Sequence, residues 1–494
     1  MFSGTNVEYL AATVKSTQLK RNLGLFHLMS LGIGTAIGTG IYVLPGIIAA
    51  NHAGPGVTLS FVLAGVVAFF SAMSYAELTS MFPVAGSSYT YLYATMGELV
   101  AWIIGWTLIL EFLVGASAVS VGWSAYLIQL IGIIMGNRDF KTPWADSPVS
   151  WDEKNFGFVL SGGYINFPAI AIAVFCTIIL VVGTRESTTF TLIFCSLKVL
   201  VIIVFIFGSV DHVNPANWSP FIPSDEGFGV AGVFKGASMA FFAFSGFEVI
   251  ANASQEAKNP QRNMPLSLML SLGICTALYV VVCLVMTGVV NYQNLGTSYP
   301  VSLAIKATGR TWLEVLIILG AVLGMGTSVI GGLLPQSRIF YAMSRDGLLP
   351  KIFSKVHPKT RTPYWNQIVL GIVVVIAAGI LPIGFLAEIG GLSSLFAFFF
   401  INVVVAILRW RKPDLERKFK VPLGGYLFPF CGAATSIALI ATSSPSAIVR
   451  IFVWMAVGIV IYILYGLQHS KLNNPHRYTE DELNAISQNN FDGH

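Results

Sequence analysis

Three ionisable side chains lie inside long apolar runs: Lys198 in FTLIFCSLKVLVIIVFIFG, Glu111 in WTLILEFLVGAS and Glu248 at the end of FFAFSGFE. A charge at the centre of a bilayer costs roughly 2.5–3.5 kcal/mol on insertion scales, so each needs a partner or a task. No acid lies within a helical turn of Lys198. It sits about ten residues into its run, deep for a side chain that snorkels to the surface. Glu111 reads either as a structural acid bonded to Ser or Tyr hydroxyls or as a working carboxylate. Glu248 is placed to tie its segment to a neighbouring helix.

Two interruptions accompany these charges. GIGTAIGTGIYVLPG (Gly32–Gly46) puts Gly32, Gly34, Gly38 and Gly40 in the centre of one run, and FFAFSGFE (Phe241–Glu248) puts Ser245 and Gly246 mid-run, ahead of NPQRNMP. Taken singly, each glycine reads as close packing of the small-xxx-small kind. A helix can unwind at mid-membrane only around a cavity, because its backbone groups find no water there. Paired interruptions in corresponding positions of two halves point to an inverted-repeat carrier, with spans 1–5 matching 6–10. In such a site, exposed N–H groups and the positive end of a half-helix hold an anion, while freed carbonyls accept from an ammonium. A small zwitterion such as an α-amino acid carries both charges.

The elements that must position these residues are helices in lipid. Of 494 residues only 10% are charged and 55% are hydrophobic, with a mean hydropathy of +0.74, where a soluble domain carries about 25% charge. A nucleic-acid binder, a secreted module and a cytosolic enzyme are excluded. Twelve runs qualify as spanning helices: 26–50, 57–82, 97–134, 166–183, 188–209, 230–255, 264–290, 312–343, 366–381, 384–409, 425–443 and 447–467. Twenty basic residues fall on the side of the termini against six opposite, among them Arg138, Lys141 and Lys154. The positive-inside bias therefore puts both termini in the cytoplasm. The expected organisation is a cytoplasmic segment 1–25, a first repeat 26–209, an inverted repeat 230–409, two further helices in 425–467, and a cytoplasmic tail 468–494. The connection 135–165 reads as an ordered cap or, preferably, a solvated loop. Glu77, Lys235, Glu314 and Glu388 lie near span ends and read as interfacial, and Trp102, Trp365, Trp410 and Tyr465 read as interface anchors. The five cysteines all lie in apolar stretches and read as packing residues. No Walker loop, HExxH or GxSxG pattern occurs, no metal or other cofactor is expected, and nothing suggests an enzyme.

Four motifs together, GIGTAIGTGIYVLPG, PVAGSSYTYLYATMGEL, FFAFSGFE with EAKNPQRNMP, and SRIFYAMSRDGLLP, resemble the amino acid, polyamine and organocation superfamily. The likeness is strongest to bacterial members of its cationic amino acid transporter branch and runs from about residue 20 to 425. The resemblance implies an all-α integral membrane protein with a LeuT-type fold, in which helices 1 and 6 are discontinuous, and secondary transport by alternating access. Carried over by position, the amides and hydroxyl of Gly38, Thr39 and Gly40 would hold a substrate carboxylate. The carbonyls of Ala36, Phe242, Ala243 and Ser245 would accept from its ammonium. Phe244 and Phe247 would form a lid and pocket wall, and Glu111 a pocket carboxylate or second proton site. Met325 would limit pocket length, unless it is generic packing. Lys198 would stand where sodium-coupled relatives bind their ion, with Thr327 and Ser328 supplying hydroxyls. Burial disfavours its charged form, so loss and regain of its proton would couple transport to a proton gradient. Two departures stand out: Ser245 replaces a bulkier apolar residue, and Glu248 an Asp.

The leading expectation is a plasma-membrane symporter, in a bacterial inner membrane, taking up a small or neutral L-amino acid with a proton. An exchanger or a cationic amino acid or polyamine permease of the same fold stays open, as does a non-transporting sensor. The expected partners are the amino acid, protons and the lipid bilayer, with no nucleic acid; a small single-span membrane protein on the outer helices is left open.

Overall fold

The computed structural model describes residues 22–471 and 474, apart from 85, 138–139, 154, 184–187, 226, 358–361 and 422–424. Most of the expected terminal segments, 1–25 and 468–494, therefore lies outside the described residues, as do Arg138, Lys154 and Arg185. The helices are α1 (Leu25–Ala36), α2 (Thr39–Tyr42), α3 (Leu44–Ile48), α4 (Val57–Met81), α5 (Ser87–Thr95), α6 (Glu98–Ile134), α7 (Phe167–Val182), α8 (Thr188–Ser209), α9 (Gly229–Ala240), α10 (Gly246–Asn252), α11 (Pro260–Val289), α12 (Pro300–Ala307), α13 (Thr311–Arg345), α14 (Tyr364–Ile380), α15 (Ile383–Arg411), α16 (Leu427–Thr442) and α17 (Pro445–Ile461). Among the described residues, eight helical runs are long and apolar enough to cross a membrane, and α1, α7, α14 and α16 are shorter apolar helices. This is a predominantly helical, multi-pass membrane protein.

The shortness of α1 has a local cause. Its 12 residues rise about 18 Å, well under the ~30 Å of hydrocarbon. It stops where Ile37 leaves the helical region at φ −77°, ψ 83°, and the chain resumes helix at Thr39. Asparagine and proline fix the start of α7, where the Asn166 side chain accepts from the Ala169 amide at 3.2 Å and Pro168 fills the first turn. Gly183, left-handed at φ 74°, ends it. α6 forms the spine of the bundle, packed against α13, α15, α7 and α14, while α11 lies against α4 and α1.

Both described ends of the chain emerge on one face. Leu23 pairs with Ala257, the Ser254 hydroxyl donates to the Val84 carbonyl at 3.2 Å, Tyr89 donates to Asp346 at 2.8 Å, and the Lys471 amide reaches the Asp346 carbonyl at 3.2 Å.

On the opposite face, the described residues of the 135–165 connection include a packed hairpin, which corrects the preference for a merely solvated loop. The hairpin is antiparallel, β1 (Val149–Asp152) with β2 (Gly157–Leu160), Val149 facing Leu160. Aromatic packing holds it down. Trp151 meets Phe158 and Phe385 at 5.0 and 5.4 Å between ring centroids, and the Arg450 guanidinium lies 4.9 Å from the Trp151 ring while pairing with Glu388 at 2.7 Å. Glu153 pairs with Lys235 of α9 at 3.0 Å.

Three further expectations are corrected, one of them Glu314, which at 3% exposure is buried rather than interfacial. Trp102 is buried rather than interfacial: it stacks on Trp106 and donates to the Gly458 carbonyl at 2.8 Å, clamping α6 to α17. Trp410, at 75% exposure, does face outward. Glu77 is 2% exposed, gripped by Arg409, by Arg417 at 3.3 Å and by the Val421 amide at 2.9 Å. Two cations, of which Arg409 donates hydrogen bonds, and one backbone amide around the carboxylate offset the cost of taking it out of water.

Candidate functional site

The two interruptions cross each other at van der Waals distance, and glycine is what lets them. A side-chain carbon on Gly246 would stand 2.7 Å from the Gly32 carbonyl and 3.0 Å from the Ala36 amide, and one on Gly40 would stand 2.7 Å from Ala243. The first break is a true gap in hydrogen bonding. Ile41 and Tyr42 return their amides to the Gly38 carbonyl at 3.2 and 3.1 Å, while the amides of Thr39 and Gly40 reach no backbone acceptor. The Thr39 hydroxyl is also buried without a partner. Orphan N–H groups at a helix start are a ready place for an anion.

The second break is tightened rather than unwound. α9 runs into a 3-10 turn, Phe241–Phe244, before α10 begins at Gly246. Two of the carbonyls expected to meet an ammonium are already engaged there. Phe242 accepts from the Ser245 amide and hydroxyl at 3.3 and 2.9 Å, and Ser245 accepts from the Glu248 amide at 3.2 Å. Ala36 accepts from the Gly38 amide at 3.0 Å, and its carbonyl and that of Ala243 both lie 2.9 Å from the one hydroxyl of Tyr279, on α11. A phenol has a single proton to give, so this pair keeps spare acceptor capacity between the two broken helices.

A small cavity opens at the crossing, with about 30 Å³ of water-sized space, enough for a water or two. Ala36, Thr39, Gly40, Glu111, Phe242, Ala243, Ser245 and Ser328 line it, together with Thr35, Phe112, Gly115, Val119 and Gly332. Gly38, Phe244, Phe247, Met325, Thr327, Lys198 and Glu248 do not. The aromatic wall is Phe242, whose ring lies on Gly115 and Gly390. Phe244 instead packs edge-on against Tyr279, and Phe247 packs on Phe244. Met325 is buried against Gly122 of α6, above the cavity.

Glu111 is 1% exposed and neither of its oxygens has a hydrogen-bond partner. The Ser394 hydroxyl lies beside it but gives its proton to the Gly390 carbonyl at 3.0 Å. Glu248 is fully buried behind the crossing, accepting from Ser88 at 2.6 Å and from the Tyr75 hydroxyl, and so joins α10 to α5 and α4.

Lys198 reaches the first break from the other side. At 2% exposure, its ammonium donates to the Gly34 carbonyl and to the Ser328 hydroxyl, the latter at 2.8 Å. Ser328 in turn lies 3.1 Å from the Gly34 and 3.2 Å from the Ile37 carbonyl. Gly324 leaves room for the lysine stem, since a side chain there would meet Lys198 Cγ at 3.0 Å. Thr327 turns back to the Gly324 carbonyl at 2.8 Å and takes no part. No carboxylate pairs with Lys198 among the described residues. Ser328 is thus shared, touching both the ammonium and the cavity.

Tyr279 and the ring of Phe242 were not singled out from sequence. A lone tyrosine in an otherwise apolar run was the available signal, because a buried phenol must find a partner.

The chain matches the model of the amino acid permease family over residues 23–465. Among its relatives, a branched-chain amino acid permease of Bacillus subtilis, BcaP, is 43% identical over 94% of this chain and 97% of its own. A methylthioribose transporter of the same organism is 39% identical over 96% and 99%. A vacuolar cationic amino acid transporter of Arabidopsis thaliana is 36% identical over 87% of this chain and 66% of its own.

Proposed function

The chain belongs to the amino acid permease family, a family of transporters rather than enzymes, and on that premise we propose that it imports a neutral L-amino acid by proton symport and alternating access. The observation that carries this reading is the Lys198 ammonium on the Gly34 carbonyl and Ser328 hydroxyl. A titratable cation is thereby fixed to the backbone of the very helix whose break lines the cavity. Protonated, it holds Gly34 and Ser328; neutral, it loses its charge-assisted bonds, each worth about 1.5–3 kcal/mol, and the first helix is freed to move.

In this account the substrate carboxylate sits on the amides of Thr39 and Gly40, with Gly38 shaping the gap and the Thr39 hydroxyl as a further donor. The ammonium takes the spare acceptor sites of Ala36 and Ala243, with Tyr279 adjusting its proton between them. Phe242 closes over the bound side chain. The cavity widens to admit substrate, as alternating access requires. Glu111 serves as the pocket carboxyl on the cavity wall beside Ser394, and Lys198 is the one group that gives up and regains a proton in the cycle. Met325 and Gly122 set the outer limit of the pocket. We place the protein in the plasma membrane with twelve spans in a LeuT-type arrangement and both termini in the cytoplasm; the shared face of the two chain ends and the positive-inside bias support this.

A branched, apolar side chain is the cargo favoured by the apolar lining of Phe112, Val119 and Phe242 and by the name of the 43% relative. A second reading, an uncharged thioether sugar, has the 39% relative in its favour. Competition against labelled L-leucine uptake in proteoliposomes separates them. Unlabelled isoleucine and valine should compete, and arginine, putrescine and methylthioribose should not. Competition by methylthioribose alone would support the second reading, and competition by arginine would refute the neutral-substrate reading.

A further inference from the structure

Glycine in the middle of a helix is less stable there than alanine, so a buried helical glycine marks a neighbour that needs the space of a methyl group. α15 carries a pair of them, Gly390 and Gly391. Their neighbours differ in kind. A side-chain carbon on Gly391 would stand 2.4 Å from the Ser238 carbonyl and 3.2 Å from that of Met239. Gly391 therefore lets the backbones of α15 and α9 touch. A side-chain carbon on Gly390 would stand 2.5 and 3.0 Å from Cδ2 and Cε2 of the Phe242 ring and 3.4 Å from Val114 Cγ2. All three are side-chain atoms, and the ring fills the place that a methyl group would take.

The Phe242 ring thus lies between two glycines, because a carbon on Gly115 of α6 would come within 3.5 Å of its Cε2. The two helices meet closely here: Ser394, one turn on from Gly390, donates to the Gly390 carbonyl at 3.0 Å and lies beside Glu111 of α6. Phe242 lines the cavity at the crossing, whereas Gly390 stands behind the ring and does not. Carbon atoms pack at about 3.5–4.0 Å, so a methyl group at 390, 2.5 Å from the ring, would displace it by about 1 Å. Backed by α6 and α15, the ring yields toward the cavity. With about 30 Å³ of water-sized space, that cavity has little volume to give up.

Resting on the carrier reading above, we propose that Gly390 is a positioning residue for specificity: without touching the substrate, it seats the Phe242 ring and so sets how large a side chain the carrier accepts. Glycine at this position admits branched neutral side chains. A methyl group there restricts the carrier to side chains of about the size of alanine's, while the amides of Thr39 and Gly40 and the carbonyls of Ala36 and Ala243 keep their hold on the charged groups common to all of them.

Initial uptake of labelled L-leucine and of labelled L-alanine by the full chain in proteoliposomes tests this with Gly390→Ala. A difference of one methylene in an apolar pocket is worth about tenfold or more in discrimination. KM for leucine should therefore rise about tenfold, while KM for alanine stays within about threefold and its kcat within about twofold. Gly384→Ala, on the same helix but with nothing within 4 Å of the added carbon, should change neither substrate. On a Phe242→Ala background, Gly390→Ala should raise KM for leucine no further, because the ring through which it acts is gone. A ratio of leucine to alanine KM unchanged in folded Gly390→Ala overturns the proposal, and so does a further tenfold rise on the Phe242→Ala background. Should Gly390→Ala alone give no folded protein by size exclusion, the double variant, which has room for the methyl group, decides by the same comparison with Phe242→Ala. Wild type that takes up neither amino acid refutes the carrier reading itself, a result distinct from an unchanged ratio.

Discussion

Replacing Lys198 by Met should uncouple transport from protons without unfolding the protein. Met keeps much of the volume of the lysine stem packed along Gly324 and removes only the ammonium. The Gly34 carbonyl is not orphaned, because the Ser328 hydroxyl, 3.1 Å away, can turn to it. Two charge-assisted bonds are lost, but so is the cost of burying an unpaired cation, and the terms are of similar size. We therefore expect thermal stability to move by no more than about 1–2 kcal/mol. The functional effect is sharper. One titrating group at the break implies one proton per substrate, and one pH unit corresponds to 1.36 kcal/mol, about a tenfold gradient. In proteoliposomes with the membrane potential clamped at zero and the outside one unit more acid, wild type should accumulate leucine about tenfold. Lys198→Met should reach only equal concentrations, while its exchange of internal for external leucine stays within about threefold of wild type. Accumulation by the variant equal to that of wild type would refute the reasoning and make Lys198 a structural charge.

Tyr279→Phe removes the one hydroxyl shared by the Ala36 and Ala243 carbonyls; it should cost about 1 kcal/mol in thermal unfolding and lower kcat/KM about fivefold. Gly246→Val adds three carbons against the Gly32 carbonyl and should abolish folded protein, or cost at least about 1–3 kcal/mol in thermal unfolding, as read by fluorescence-detected size exclusion. Arg409→Gln strips Glu77 of its bidentate partner at 2% exposure while Arg417 and the Val421 amide stay on it, and should cost about 1.5–3 kcal/mol, the worth of a charge-assisted bond; a melting temperature unchanged from wild type would contradict that. Phe242→Ala opens the wall on Gly115 and Gly390 and should raise KM for leucine more than for alanine in uptake assays.

How much of this was legible in one chain depends on range. The lone charge of Lys198 in its apolar run, and the glycines between Gly32 and Gly40, announce themselves locally because the bilayer penalises both. Their partners do not. Ser328 and Gly34 lie 130 and 164 residues from Lys198 in sequence, and no local pattern selects a serine in an apolar helix as the one that faces an ammonium. Tyr279 is likewise defined by two carbonyls on other helices. The family resemblance put Phe244 and Phe247 at the lid and pocket wall and gave Phe242 only a carbonyl role, yet a 3-10 turn changes the angular step from residue to residue, and of the three only Phe242 lines the cavity. Trp102 and Glu77 were read as interfacial from their position near span ends. They are buried because α17 and the segment before α16 fold back over those ends, a tertiary fact that distance from the end of an apolar run does not contain.

The central claim is that substrate sits at the crossing of the two broken helices, and a structure of the protein with saturating L-leucine tests it most directly. The account predicts the carboxylate on the amides of Thr39 and Gly40, the ammonium between the carbonyls of Ala36 and Ala243, and the side chain under Phe242. Leucine found only elsewhere, with the Tyr279 hydroxyl still lying between the Ala36 and Ala243 carbonyls, would contradict it.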